Sequence, residues 1–230
     1  MGIEGSLETV KRRIEKAAAV SGRKLEDIKI VAVTKTVAPE KIREAAALGV
    51  TCVGENRVQE MLDKCEKLND LPLEWHMIGH LQRNKVKYII GKVALIHSVD
   101  TIELAEEINK RAGQASKRAD VLLQVNVSGE ESKFGMDPGR IFDFLERARG
   151  LENVHIRGLM TIAPYTDNPE ETRPVFARLK AIFEEIKAAK PPGVDMDYLS
   201  MGMTGDYVTP IEEGANIVRI GTGIFGPRGL

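Results

Sequence analysis

Apolar and polar positions follow two rhythms along this chain. Short runs dense in valine and isoleucine, such as "IVAV" at 30–33, "VLLQV" at 121–125 and "IVRI" at 217–220, are separated by longer charged stretches. In those stretches apolar residues return at every third or fourth position, the period of a helix with one buried face. After an amphipathic helix over 4–20, this spacing predicts strands at 28–35, 50–56, 75–80, 94–99, 121–127, 155–162, 198–201 and 216–221. Helices are predicted between them at 39–48, 58–68, 82–90, 101–118, 138–149, 169–190 and 207–213. Pro39 suits a first helical turn, and Asp100 reads as the N-cap of the helix that follows it.

Strands alternating with helices point to βαβ units and a parallel sheet. Eight such units close into a (β/α)8 barrel, for which 230 residues is compact but sufficient. An open doubly wound sheet is the competing architecture. No helix is predicted after the last strand, so the N-terminal helix is expected to cover that gap in the outer ring. No linker, low-complexity tract or repeat divides the chain, and a single domain over 1–230 is expected.

Composition removes several classes of function. The 33 basic and 34 acidic residues nearly cancel and form no basic block, which argues against nucleic acid or an anionic membrane as the main partner. The first twenty residues are charged, without the apolar core of a signal peptide, and no window approaches a membrane span. Cys52 and Cys65 are isolated, which favours a reducing cytoplasm over a disulfide framework. The sequon "NVS" at Asn126 is then a chance match.

In a barrel the chemistry gathers at the carboxyl ends of the strands. Those ends read Lys35, "GENR", "HMIGHLQRNK", "HSVD", "NVSGEESKFGM", "GLMTIAP", "SMGMTGD" and "RIGTGIFG", whereas the amino ends look bland. Side chains alternate along a strand, so Val31, Val33 and Lys35 share one face. If the two valines fill the barrel, Lys35 projects into its top, where lost hydration lowers an amine's pKa and frees its nucleophilic form. From position alone, a lysine that merely snorkels to the rim remains open.

The loops after strands seven and eight form the usual phosphate cradle of this fold, and here they are rich in glycine and hydroxyls. Ser200, Gly202, Thr204, Gly221 and Thr222 fit that role. "GTGIFG" also matches GxGxxG, but no helix, strand and acidic residue follow it, so the dinucleotide reading fails. An amine facing a phosphate cradle indicates a ligand with both a carbonyl and a phosphate. Pyridoxal 5′-phosphate is one such ligand, and a sugar phosphate handled by a Schiff-base aldolase is another.

The motifs "VAVTK", "GENRVQE", "WHMIGHLQRNK", "SVD", "QVNVSGEESKFG", "IRGLMTIAP", "YLSMGMTGDY" and "VRIGTGIFG" run through nearly the whole chain. In these the sequence resembles the pyridoxal phosphate homeostasis protein family (YggS/PROSC-type proteins), related in fold to the amino-terminal barrel of alanine racemase, fold type III. The resemblance implies that Lys35 forms a Schiff base with pyridoxal 5′-phosphate. It places Ser200, Gly202, Thr204, Gly221 and Thr222 around the phosphate, Asn56 and His80 near the ring, and Arg219 at the ring nitrogen or the phosphate.

The same resemblance implies intracellular vitamin B6 homeostasis in the cytoplasm without robust catalytic turnover, by a monomer that could hand the cofactor to acceptor apoenzymes. A pyridoxal phosphate-dependent amino acid racemase or related enzyme is the alternative. Alanine racemase sets a tyrosine base from a partner subunit opposite the lysine, and no chain remains here to build the second domain. Tyr165 reads as a rim residue rather than that base. Metal binding is not expected, because His76 and His80 lie apart along a strand with no third ligand nearby. Cys52 reads as a small core residue, and the loop at 128–135 as a gate or a solvated loop.

Overall fold

The β-branched runs fold as strands because helices cover one face of each and a shared interior covers the other. The computed structural model describes residues 2–130 and 134–227. Its strands are β1 (Lys29–Val33), β2 (Cys52–Glu55), β3 (Glu74–Met77), β4 (Leu95–Val99), β5 (Ala119–Gln124), β6 (Val154–Met160), β7 (Val194–Met203) and β8 (Ile217–Ile220). They pair in parallel in chain order, and β8 closes on β1 with Val31 opposite Arg219, giving a closed barrel. The barrel is the predicted one, and the open sheet is excluded.

Strand alternation divides the apolar residues into two cores. Val31 and Val33 pack inside with Cys52, Ile78, Leu95, Leu122, Met160 and Ile217. Ala32, Val53, Ile96, Leu123 and Val218 point the other way, into the layer between sheet and helices. The outer ring comprises α1 (Ile3–Val20), α2 (Pro39–Ala47), α3 (Val58–Lys67), α4 (Val86–Ile89), α5 (Ile102–Gln114), α6 (Ile141–Ala148), α7 (Arg173–Ala189), α8 (Val208–Glu212) and α9 (Thr222–Phe225).

The structure corrects the sequence reading in four places. A one-turn helix, α9, does follow β8, and α1 packs across both it and α8 to complete the ring. The cap of α5 is Thr101, whose hydroxyl accepts from the Leu104 amide at 3.3 Å, not Asp100. Asp100 instead receives the Gly135 amide and faces His80, and burial raises its pKa. The helix expected over 82–90 is a 3-10 turn, Arg83–Lys85, leading into the single turn of α4. β7 runs ten residues rather than four, because β6 and β8 offer it partners on both sides.

Candidate functional site

The site begins in the turn that follows β1. Parity carries from Val31 and Val33 to Lys35, which lies half-buried in the turn that follows. That turn is held in an uncommon shape: Thr36 has φ +62°, a left-handed conformation costly for a β-branched residue. A network on the outside of the barrel holds it there. The Thr36 amide donates to Glu60 at 2.6 Å, and the Lys64 ammonium donates to Glu60, to Glu55 and to the Thr34 carbonyl, at 2.6–2.7 Å. Thr34 Oγ1 donates to the same Glu55 oxygen at 2.6 Å. Glu55 is fully buried, and this desolvation raises its pKa against the pull of Lys64 and Thr34.

Lys35 shares a small, partly open cavity of about 200 Å³ with Thr36, Lys41, Gly221, Thr222 and Phe225. Three predicted residues thus converge across the β1–β8 seam. Thr204 joins the two glycine-rich loops, its Oγ1 accepting from the Gly221 amide at 3.1 Å and the Gly223 amide at 3.3 Å. Gly202 has φ +98°, and a Cβ there would stand 2.6 Å from the Pro210 ring, so only glycine lets this loop turn against α8.

Ser200 and Arg219 lie deeper. Ser200 is fully buried inside the barrel, its Oγ accepting from Arg219 at 2.6 Å. Arg219 also donates to the Thr161 carbonyl at 2.8 Å, and burial lowers its pKa to about 10, so it stays charged at neutral pH.

On the opposite side of the mouth, the His80 ring stacks on Phe134 with centroids 4.2 Å apart and planes inclined by 17°. Asn56 is half-buried, and Gly79, next to His80 in the chain, presses against it so closely that a Cβ would lie 2.3 Å from the Asn56 carbonyl oxygen. Phe134, 60% exposed, gave no signal in the sequence beyond its loop. Residues 131–133 of that expected gate lie outside the described residues. Tyr165 is 93% exposed on the rim.

The amino-terminal end is not bland. Lys29 and Glu74 pair at 2.6 Å, Arg157 pairs with Asp120 at 2.7 Å, and both cations lie over the Tyr198 ring. These charges sit at strand starts, where a lone polar residue ordinarily means a solvated end. Here too His76 acquires the neighbours it was expected to lack, since donor atoms of Cys52, Glu74 and His76 lie within 4.8 Å of one another. The arrangement favours hydrogen bonding over metal ligation, because Glu74 already accepts from Lys29 and contacts His76 Nε2 at 2.7 Å. An ammonium stands where a cation would.

The donor set of the carboxyl-terminal mouth suits a carbonyl-bearing anion. It holds the half-buried Lys35 amine, a second amine in Lys41, hydroxyls and glycine amides. Fold and site together define a one-barrel protein with a half-buried lysine in the turn after its first strand. Residues 6–229 match the alanine racemase N-terminal domain family.

The chain belongs to the family of pyridoxal phosphate homeostasis proteins: it is 50% identical over 222 residues to that protein of Aquifex aeolicus, covering 96% of each chain, and 38% identical over 226 residues to that of Pseudomonas aeruginosa. PipY of Synechococcus elongatus, solved with pyridoxal phosphate bound, is 36% identical with a TM-score of 0.82, covering 93% of this chain and all of PipY. A protein of Bifidobacterium adolescentis is 36% identical with a TM-score of 0.89, over 97% of this chain and 94% of its own. Alanine racemase of Clostridium difficile, at 17% identity and a TM-score of 0.74, shares the fold.

Proposed function

We propose that this chain holds pyridoxal 5′-phosphate covalently through Lys35 and takes part in keeping that cofactor available inside the cell, without robust turnover of its own. One observation carries the reading: a half-buried lysine on the inward parity of β1 opens into the cavity that Gly221 and Thr222 also line. The cofactor supplies an aldehyde that condenses with an amine, and a phosphate that needs cations and amide donors.

In this reading Lys35 is the amine, and Gly202, Thr204, Gly221 and Thr222 shape the phosphate end. Ser200 supports that end from below through Arg219. Asn56 and His80 flank the ring. Lys41 supplies a charge that the motifs did not single out. Tyr165, fully out in solvent, is not held as a base opposite the lysine, which supports binding rather than racemisation.

We further propose a single barrel unit over the whole chain, acting as a monomer in the cytoplasm and passing the cofactor to enzymes that require it. Among the described residues no helix is long and apolar enough to cross a membrane.

The test is borohydride reduction of the protein equilibrated with pyridoxal 5′-phosphate, followed by peptide mass spectrometry. Reduced cofactor on Lys35 is the expected result. Modification confined to Lys41, or undiminished labelling of Lys35→Ala, overturns the site. Incubation with single L-amino acids in deuterated water separates the two functions: rapid α-hydrogen exchange that depends on Lys35 would establish an enzyme instead.

A further inference from the structure

A file of polar groups, buried except at its Glu74 end, runs through the barrel from its amino-terminal end to the level just below the mouth. Glu74 contacts His76 Nε2 at 2.7 Å, His76 Nδ1 contacts His97 Nε2 at 2.8 Å, and His97 Nδ1 contacts Ser200 Oγ at 3.0 Å. Ser200 Oγ in turn accepts from Arg219 at 2.6 Å. His76, His97 and Ser200 have no exposed surface, and Arg219 is 4% exposed. At its far end the file meets Lys29, Cys52 and Tyr198 around a second cavity of about 430 Å³.

The two ends fix the direction of every bond between them. Arginine has only donors, and an ionised carboxylate has only acceptors. Both histidines are neutral, since burial is the largest cause lowering the pKa of each. Each therefore carries one ring proton. If His76 kept it on Nδ1, its bare Nε2 would face a carboxylate oxygen at 2.7 Å, two lone pairs in contact.

The proton therefore sits on Nε2 of His76, and Nδ1 accepts from His97 Nε2–H. His97 Nδ1 then accepts the Ser200 hydroxyl proton, leaving the Ser200 oxygen for Arg219. One arrangement satisfies the whole file, and reversing any bond leaves a buried group unpaired.

We propose that Glu74, His76 and His97 are positioning residues for the cofactor site. Their one-way file of hydrogen bonds holds Ser200 as an acceptor and so sets the orientation of the Arg219 guanidinium, two residues before Gly221 of the cavity. The link to the cofactor rests on the reading of the mouth given above, whereas the file itself does not. Lys11, Glu26, Asp27, Lys29, Cys52 and Tyr198 are the other titratable groups around the cavity at its lower end, and Asp206 the charge acting on Arg219 from above.

Two measurements test it. In protein labelled with 15N-histidine, NMR at neutral pH reads the tautomer of each ring, assigned with His76→Gln and His97→Gln. The expected result is a proton on Nε2 and a bare Nδ1 in both. A protonated Nδ1 on either ring overturns the file.

In cofactor-loaded protein, Glu74→Gln removes the charge that orients the file, while Lys29→Gln leaves Glu74 and both histidines in place. Glu74→Gln is expected to release cofactor about fivefold faster, the low end of coupling between linked sites, with Lys35 still trapped by borohydride. Lys29→Gln is expected to lower the melting temperature without that change. Equal release rates for the two variants and wild type overturn the positioning role. If wild type is never trapped at Lys35, the cofactor reading falls, and the NMR result still decides the file.

Discussion

Lys64 Nζ lies 2.6 Å from the carbonyl oxygen of Thr34, the residue immediately before Lys35. An α3 side chain on the outside of the barrel thus holds the backbone from which the Lys35 side chain departs. Of its two carboxylate partners, Glu55 has no exposed side-chain surface, and Lys64 itself only 7%.

Removing the ammonium should therefore leave a buried carboxylate without its cation. Lys64→Met is expected to lose about 3–5 kcal/mol of stability in urea unfolding. The Lys35 turn should loosen as well, so cofactor trapping at Lys35 should slow in the fraction that remains folded. Unchanged stability and trapping would show that the network is only decoration.

Lys35→Ala should behave in the opposite way. A half-buried lysine in a turn contributes little to the core, and the variant is expected to unfold within about 0.5 kcal/mol of wild type. Borohydride treatment should leave no cofactor attached to it. Thermal unfolding and intact-mass measurement on the same samples check both halves.

Gly79→Ala should be destabilised by about 1–3 kcal/mol through overpacking, since its Cβ would meet the Asn56 carbonyl at 2.3 Å. The relief must come from moving the loops that carry Asn56 and His80. Cofactor binding should weaken along with the melting temperature. A normal melting temperature would mean that these loops shift freely.

Acid should destabilise the barrel through its polar file, and the sign follows from the shifts. The hydrogen bond from His76 brings the Glu74 pKa from its ordinary 4.5 down to about 2. Its stabilisation is present above 4.5 and is lost as pH falls toward 2. With 40% of that side chain exposed, solvent screening limits the effect to about 1 kcal/mol.

His76 and His97 have pKa values below their ordinary 6.5. Both stay neutral when folded but bind protons when unfolded below 6.5, so stability is lost as pH falls from there. Glu55, Asp100 and Asp206 are shifted upward and act in the opposite sense. The informative quantity is therefore the difference between wild type and His97→Gln. Their gap in unfolding free energy should shrink by up to about 1.4 kcal/mol per pH unit between 6.5 and 5, one proton's worth. A constant gap would show that His97 is already charged in the folded state.

Thr204→Val should uncouple the two glycine-rich loops, since one hydroxyl oxygen receives both the Gly221 and Gly223 amides. A loss of about 1–2 kcal/mol is expected from leaving those donors without the acceptor, together with faster escape of cofactor in dialysis. Thr204→Ser, which keeps the oxygen, should restore both.

Local periodicity by itself determined the alternation of strands and helices and the inward parity of Val31, Val33 and Lys35. Each of these depends on residues two to four positions apart, a range over which backbone geometry leaves few choices. Motif content reached further, singling out Asn56, His80, Ser200 and Arg219.

Only the closed barrel decided which of these meet, and through what. His76 and His97 are 21 residues apart, and His97 and Ser200 are 103 apart, so no spacing in the chain pairs them. The amino-terminal charges looked like ordinary strand ends until closure turned Lys29, Glu74, Asp120 and Arg157 toward one another. A buried polar group must find a partner wherever the fold brings one, and that partner is set by which strands lie side by side, not by distance along the chain.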